Sequence, residues 1–249
     1  MEAGKKYIHW DEKREAYKNQ TGPVRRGVGM AIFCYKTGVH PISLETSSVR
    51  MVLNQDGSIQ VSMGATEIGQ GADTVFSQMA SETTGISFDK IFIVSTQDTD
   101  LTPFDTGAYA SRQSFVTGTV VKDCANLMKK KILDYAKKLM PEETRELSLD
   151  HGWIMAGEDY AMSLANLALE SYYSLSNSSV LTAEVSEQVK KNTIATGCCF
   201  AEVEVDIELG KIKILHIINV HDSGKLLNPK LAEMQVHGGM FMGIGYWSF

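Results

Sequence analysis

An alternating run from Ser58 to Met63 leads directly into Gly64-Ala65-Thr66-Glu67-Ile68-Gly69-Gln70-Gly71, and Val75, Phe76, Met79 and Ala80 then follow at helical spacing. A change of apolar period from two to about 3.6 across a glycine-framed segment predicts strand, tight turn and helix, in that order. Glycine permits positive φ and close approach of another group, and the Gln70 amide can donate and accept hydrogen bonds at once. Near a helix N-terminus, backbone donors and the dipole favour a polar or anionic ligand. No Gly-Lys-Ser/Thr follows, so the segment is not a P-loop, and its glycine spacing is not the dinucleotide fingerprint. On spacing alone, the ordinary reading is a turn that ends a strand and starts a helix.

The surrounding pattern is mixed. Residues 5–18 carry helix formers until Asn19-Gln20-Thr21-Gly22-Pro23 breaks them, and strands are expected at 27–35 and 48–53, with Asp56-Gly57 turning a hairpin into 58–63. A helix over 73–83, a short strand at 90–96, a polar loop with Pro103 and Gly107, and a long helix over 114–139 complete a first lobe, 1–145. Charged residues and Pro141 place the boundary near 145. The second lobe, 146–249, reads as a strand at 152–160, a helix at 163–170, a Ser-rich surface loop at 171–189, a hairpin of 197–207 with 211–221, and a helix at 229–246. Gly238, Gly239, Gly243 and Gly245 in that last helix suggest close backbone packing. The fold class expected is α+β, two-lobed, with mixed and antiparallel sheets packed against helices.

A net charge of -6 over 249 residues argues against a nucleic-acid or anionic-membrane surface. No apolar run approaches the roughly 20 residues of a bilayer span, so a cytoplasmic setting is expected. Cys34, Cys124, Cys198 and Cys199 show no C-x-x-C pattern and read as buried, reduced thiols, and the six histidines form no H-x-x-x-H, so no protein-ligated metal is expected.

Gly69-Gln70-Gly71, the loop Asp105-Thr106-Gly107-Ala108-Tyr109-Ala110-Ser111-Arg112, and Leu227-Asn228-Pro229 followed by Gln235 together resemble the xanthine dehydrogenase and aldehyde oxidoreductase family of molybdenum hydroxylases. The resemblance extends from Arg26 through the Gly-rich end and is to the molybdopterin-binding subunit. It implies three cofactor-binding segments: Gly69, Gln70 and Gly71; Ala108, Ala110, Ser111 and Arg112; and Gln235. An amide suits the mixed donors and acceptors of a pterin edge, while a phosphate suits the Ser111 hydroxyl and the Arg112 cation. Asp105 and Tyr109 read as loop-shaping residues. Glu67 is not the general base that the family implies, since that glutamate belongs to a Gly-Glu motif downstream of the residues in this chain.

The resemblance further implies oxidative hydroxylation with water as the oxygen source, electrons passing to iron–sulfur and flavin modules that have no counterpart here. The chain is expected to be an interior piece of the molybdenum subunit, inactive by itself, self-associating through uncovered apolar surface, and able to carry molybdopterin only if three loops suffice. A purine such as xanthine or hypoxanthine is the preferred substrate class. An aldehyde oxidoreductase fragment and a non-catalytic scaffold that binds a partner subunit are the alternatives.

Overall fold

In the computed structural model, residues 1–94 and 98–248 are described. The chain begins with α1 (Glu2–Ile8), α2 (Trp10–Ala16), β1 (Val24–Thr37), β2 (Thr46–Leu53) and β3 (Ile59–Met63). Next come α3 (Ala72–Thr84), β4 (Ile91–Val94), the long α4 (Gln113–Leu139), β5 (Leu147–Asp150), β6 (Trp153–Ala156) and β7 (Asp159–Ser163). It closes with α5 (Leu164–Tyr173), β8 (Thr182–Gln188), β9 (Thr193–Asp206), β10 (Lys211–Asp222) and α6 (Pro229–Ser248). The α+β class expected from the pattern is what forms. The end of the strand expected at 90–96 falls partly outside the described residues.

Two compact units result: Thr37–Asn192, which is continuous, and Met1–Lys36 with Thr193–Phe249, which joins the two ends of the chain. In the continuous unit a four-stranded sheet has the order β4-β3-β2-β8. β2 runs antiparallel to β3 and β8, whereas β3 and β4 are parallel and joined by the α3 crossover. Period-two patterning buries Val49, Met51 and Leu53 while Arg50 faces solvent, and Ile59, Val61 and Met63 continue the same core. Across it, α4 lays down Val120, Val121, Cys124, Ala125, Met128, Ile132 and Ala136, a stripe at helical spacing.

The boundary expected near residue 145 differs from this division. Leu147 and Leu149 of β5 and Ile154 and Ala156 of β6 belong to the same hydrophobic core as α4, so the charged stretch before them is a surface connection. The strand expected at 152–160 is the hairpin β6–β7. The expected Ser-rich loop contains the last three residues of α5 and the edge strand β8, which pairs with β2 from Thr46 opposite Gln188 to Val52 opposite Thr182.

In the other unit the sheet order is β1-β9-β10. Its core is small: Ile8, Val28, Cys198 and Phe200, with Trp10 and Tyr17 packed against it. The single helix expected over 5–18 is broken at His9, whose left-handed backbone (φ 56°) separates α1 from α2. Among the described residues nothing packs on the glycine faces of α6: a Cβ at Gly238, Gly239, Gly243 or Gly245 would meet nothing within 4 Å. Among the described residues no helix is long and apolar enough to cross a membrane.

Candidate functional site

The turn between β3 and α3 is organised by Glu67. Its Oε1 accepts the Gly69 N–H at 2.7 Å and the Gly71 N–H at 3.1 Å, and its Oε2 accepts the Asp73 N–H at 3.1 Å. The donors of Gly71 and Asp73, and then the others, hold this carboxyl below the usual glutamate range. Glu67 therefore caps α3 from four residues before its N-cap, Gly71. This corrects the expectation that these N–H groups face a ligand, because an internal carboxylate already uses them. Positive φ at Gly69 (98°) and Gly71 (85°) wraps the chain around that carboxylate. The outer faces of both glycines stay open, with nothing within 4 Å of a Cβ placed there.

The second loop is built on Arg112. Its guanidinium is 0% exposed. Nε donates to Glu45 at 2.6 Å, and one terminal nitrogen donates to Asp105 at 2.6 Å and to the Gly107 carbonyl at 2.9 Å. The other donates to the Thr46 carbonyl at 3.0 Å. Burial alone would lower the Arg112 pKa, but Glu45 and Asp105 outweigh it and raise it. Thr117 donates to the second Asp105 oxygen at 3.0 Å, and Ser47 donates to Thr117 at 3.1 Å.

The expectation that Arg112 offers a cation to a phosphate is thus corrected: the guanidinium is enclosed in a buried ion cluster and faces inward. What the cluster holds is the backbone before it. Ala110 (φ 46°) and Ser111 (φ 53°) are consecutive non-glycine residues in the left-handed region, an arrangement that costs about 1–3 kcal/mol per residue and persists only where surroundings enforce it. The Ala110 carbonyl accepts the Gly38 N–H at 2.9 Å, and the Tyr109 carbonyl accepts the Arg112 N–H at 3.0 Å. Ala108 and Ser111 are left on the outside. Tyr109 shapes the loop, its hydroxyl donating to Thr106 Oγ1 at 3.1 Å and its ring lying 5.5 Å from the Arg112 guanidinium.

Gln113, the first residue of α4, joins the two segments. Gln70 Nε2 donates to Gln113 Oε1, and both amides donate to the Thr66 carbonyl, at 2.8 and 3.1 Å. The structure thereby brings Gly69, Gln70 and Gly71 together with the Ala108–Arg112 loop. Gln235 lies exposed on α6, in the other compact unit. Sequence reading missed Gln113 although it directly follows Arg112, and it had no signal for Glu45, which is 67 residues from its partner. A cavity of about 460 Å³ lined by Lys131, Tyr135, Lys138 and the 177–182 loop lies toward the far end of α4 and contains no motif residue. Among the described residues no cluster of three His, Cys, Asp or Glu is placed to hold a metal ion.

The sequence profile of the molybdopterin cofactor-binding domain matches residues 3–249. The chain belongs to that family. As a molybdopterin cofactor-binding domain it is 47% identical over 252 residues to the xanthine dehydrogenase molybdenum-binding subunit of Escherichia coli O157:H7, covering 100% of this chain and 34% of that protein. The domain thus spans about a third of the relative's length. Its fold matches the Cu,Mo-CO dehydrogenase in its carbon monoxide reduced state (TM-score 0.74, 24% identity, 96% of this chain and 32% of that one). It also matches quinoline 2-oxidoreductase from Pseudomonas putida 86 (TM-score 0.72, 20% identity, 96% and 32%). The resemblance carried by the three sequence segments is therefore to the right family, and the α+β fold is shared with those two solved structures.

Proposed function

We propose that this chain orients the pterin part of a molybdenum cofactor within a larger hydroxylase that acts on a purine such as xanthine or hypoxanthine. The observation that carries this reading is the 47% identity, over the full chain, to a xanthine dehydrogenase molybdenum-binding subunit. The donor set fits such a group. The glycine faces leave room for a flat ring to lie against backbone, and Gln70 and the Ser111 hydroxyl supply polar atoms at its edge. When bound, the cofactor supplies the oxidation, taking two electrons from a substrate carbon that gains an oxygen from water.

The chain's own residues bind and orient. Gln70 fixes an edge of the ring system, Gly69 and Gly71 admit it, and Ala108, Ala110 and Ser111 present a rigid backbone held from below by Arg112. Arg112 serves as a support in this reading. Gln235 enters through its place in the family motif. No acid–base step is assigned to any residue of this chain, which in this reading works with the remaining segments of a molybdenum subunit and with iron–sulfur and flavin partners, in the cytoplasm.

Molybdenum by mass spectrometry and pterin by its fluorescent oxidation product, both measured on chain purified from a host that makes the cofactor, test the reading. Retention that is lost in Gln70→Ala is expected. Equal pterin in Gln70→Ala would remove Gln70 from the site. With the partner subunits restored, turnover of xanthine in preference to an aldehyde supports the purine reading, and the reverse preference overturns it.

A further inference from the structure

The cavity of about 460 Å³ between the last turns of α4 and residues 177–182 is lined by no residue assigned to the cofactor. Its size falls within the range of small-molecule sites, about 300–1,000 Å³. One wall is a single face of α4: Lys131, Asp134, Tyr135 and Lys138, at the i, i+3, i+4 and i+7 spacing that brings side chains together. The opposite wall is pinned by the protein itself. The Ser179 N–H donates to the Ser171 carbonyl at 2.6 Å and the Leu53 N–H to the Leu181 carbonyl at 3.0 Å. From α4, Tyr135 donates to the Asn177 carbonyl at 3.1 Å and Lys131 to the Thr182 carbonyl at 2.6 Å. Charge here runs against the chain as a whole, with two lysines and one carboxylate lining a cavity in a protein of net charge -6. Asp134 stands three residues from Lys131 and four from Lys138, spacings at which helical ion pairs form, yet among the described residues it pairs with neither. Lys138 likewise has no hydrogen-bond or ion-pair partner among the described residues, and Lys137 beside it already serves the negative end of the helix.

We propose that this cavity binds a phosphorylated sugar, with the phosphate at Lys138 and Lys131 and the vicinal hydroxyls at Asp134 and the Tyr135 oxygen. A phosphate suits ammonium donors, and a carboxylate accepts two hydroxyl hydrogens at once. Asp134 and Lys138 are four residues apart, about 6 Å along the helix, so the two ends of one small molecule reach both. Tyr135 gives its one hydrogen to Asn177 and leaves its oxygen able to accept another. An inorganic anion by itself meets Asp134 as a like charge, and an ammonium at Asp134 meets lysines on both sides. A neutral, hydroxyl-rich body escapes both penalties, and the buried Tyr135 ring and Leu181 give its C–H groups an apolar floor.

The test is isothermal titration calorimetry of the full chain with ribose 5-phosphate, adenosine monophosphate, inorganic phosphate and phosphoethanolamine. Thermal unfolding of every variant is followed alongside. Ribose 5-phosphate should bind at least about tenfold more tightly than inorganic phosphate, the factor expected for a hydrogen bond to a charged group. Lys138→Met should weaken both by about tenfold or more. Asp134→Asn should bring the two affinities together by weakening the sugar phosphate and not the phosphate. Lys138 and Asp134 are both exposed, so the fold should tolerate either change. Adenosine monophosphate binding at least as tightly as ribose 5-phosphate identifies a nucleotide as the source of the group, and weaker binding identifies a free sugar phosphate.

Absence of ribose 5-phosphate binding by the folded, unmodified chain overturns the proposal, as does an affinity no greater than that for inorganic phosphate or phosphoethanolamine. Unchanged affinity in a folded Lys138→Met chain also overturns it, and so does an Asp134→Asn chain that keeps the full preference. Lys138 and Asp134 have no part in holding the cofactor as proposed above, so these outcomes are independent of pterin retention.

Discussion

Arg112, Glu45 and Asp105 form a buried cluster with one positive and two negative groups, all with side chains at 0% exposure. Removing the cation leaves two carboxylates without their partner, so Arg112→Met should cost about 3–5 kcal/mol in urea unfolding. Arg112→Lys should not restore it, because a single ammonium cannot reproduce the four hydrogen bonds the guanidinium makes in different directions. Glu202 is the comparable residue in the unit built from the chain ends. Lys13 and Tyr17 donate to it at 2.6 Å, and His216 Nδ1 lies 2.7 Å away. Burial pushes the Glu202 pKa up, but these hydrogen bonds outweigh it and bring it from 4.5 down to about 2. A depressed folded-state pKa contributes stability that is full above about pH 4.5 and disappears as the pH falls toward 2. Unfolding midpoints measured between those limits should show that loss, and Glu202→Gln should flatten the pH dependence while weakening the fold by about 2 kcal/mol at neutral pH. Cys124, whose thiol donates to the Val49 and Ala183 carbonyls, is pushed up to about 12 by burial and fits the expected inert thiol, whereas Cys34 is exposed and does not.

At the level of elements, Gly64 is where β3 meets the second loop. A Cβ there would stand 2.4 Å from the Pro103 carbonyl and 2.7 Å from the Asp105 nitrogen. Gly64→Ala should therefore cost about 1–3 kcal/mol and displace Asp105 from Arg112, seen as a lower urea midpoint together with faster hydrogen exchange at residues 105–112. The strand, turn and helix around residues 58–84 were legible because one period ends and another begins within a few residues, with glycine between them. β8 was not legible, since its inner face consists of Ala183 and Val185 set among Thr182, Glu184, Ser186, Glu187 and Gln188, and pairing to β2 supplies most of what makes it a strand. The break at His9 was equally hidden, because helix propensity on both sides is good and the left-handed residue between them carries no sequence mark.

Across the whole molecule, the two compact units differ in how much apolar surface they bury within themselves. The continuous unit has a core that runs through two sheets, α3, α4 and α5, while among the described residues of the other unit four buried residues form the core. α6 adds little to the latter, with Phe241 75% and Tyr246 95% exposed. Local stability follows buried contact, so amides of β1, β9, β10 and α6 should exchange with solvent by lower-energy openings than those of α4 and β2. Hydrogen exchange read by mass spectrometry on the full chain checks this, and equal protection of the two units would refute it.

The sequence by itself determined the helices and strands with strong periods, the α+β class and, through three short segments in order, the family. Those properties are local or depend on residue identity at fixed spacing, and both are written along the chain. Tertiary structure decided what each motif residue can do. Arg112 looked like a ligand for phosphate because it is a cation within a family motif, and only the return of Glu45 from 67 residues away turns it inward. Glu67 and Gln113 became the organisers of the turn for the same reason: hydrogen-bond partners are chosen by proximity in the folded chain. The unit boundaries followed that rule as well, since β1 pairs with β9 across more than 150 residues, and no composition shift near residue 145 could announce it.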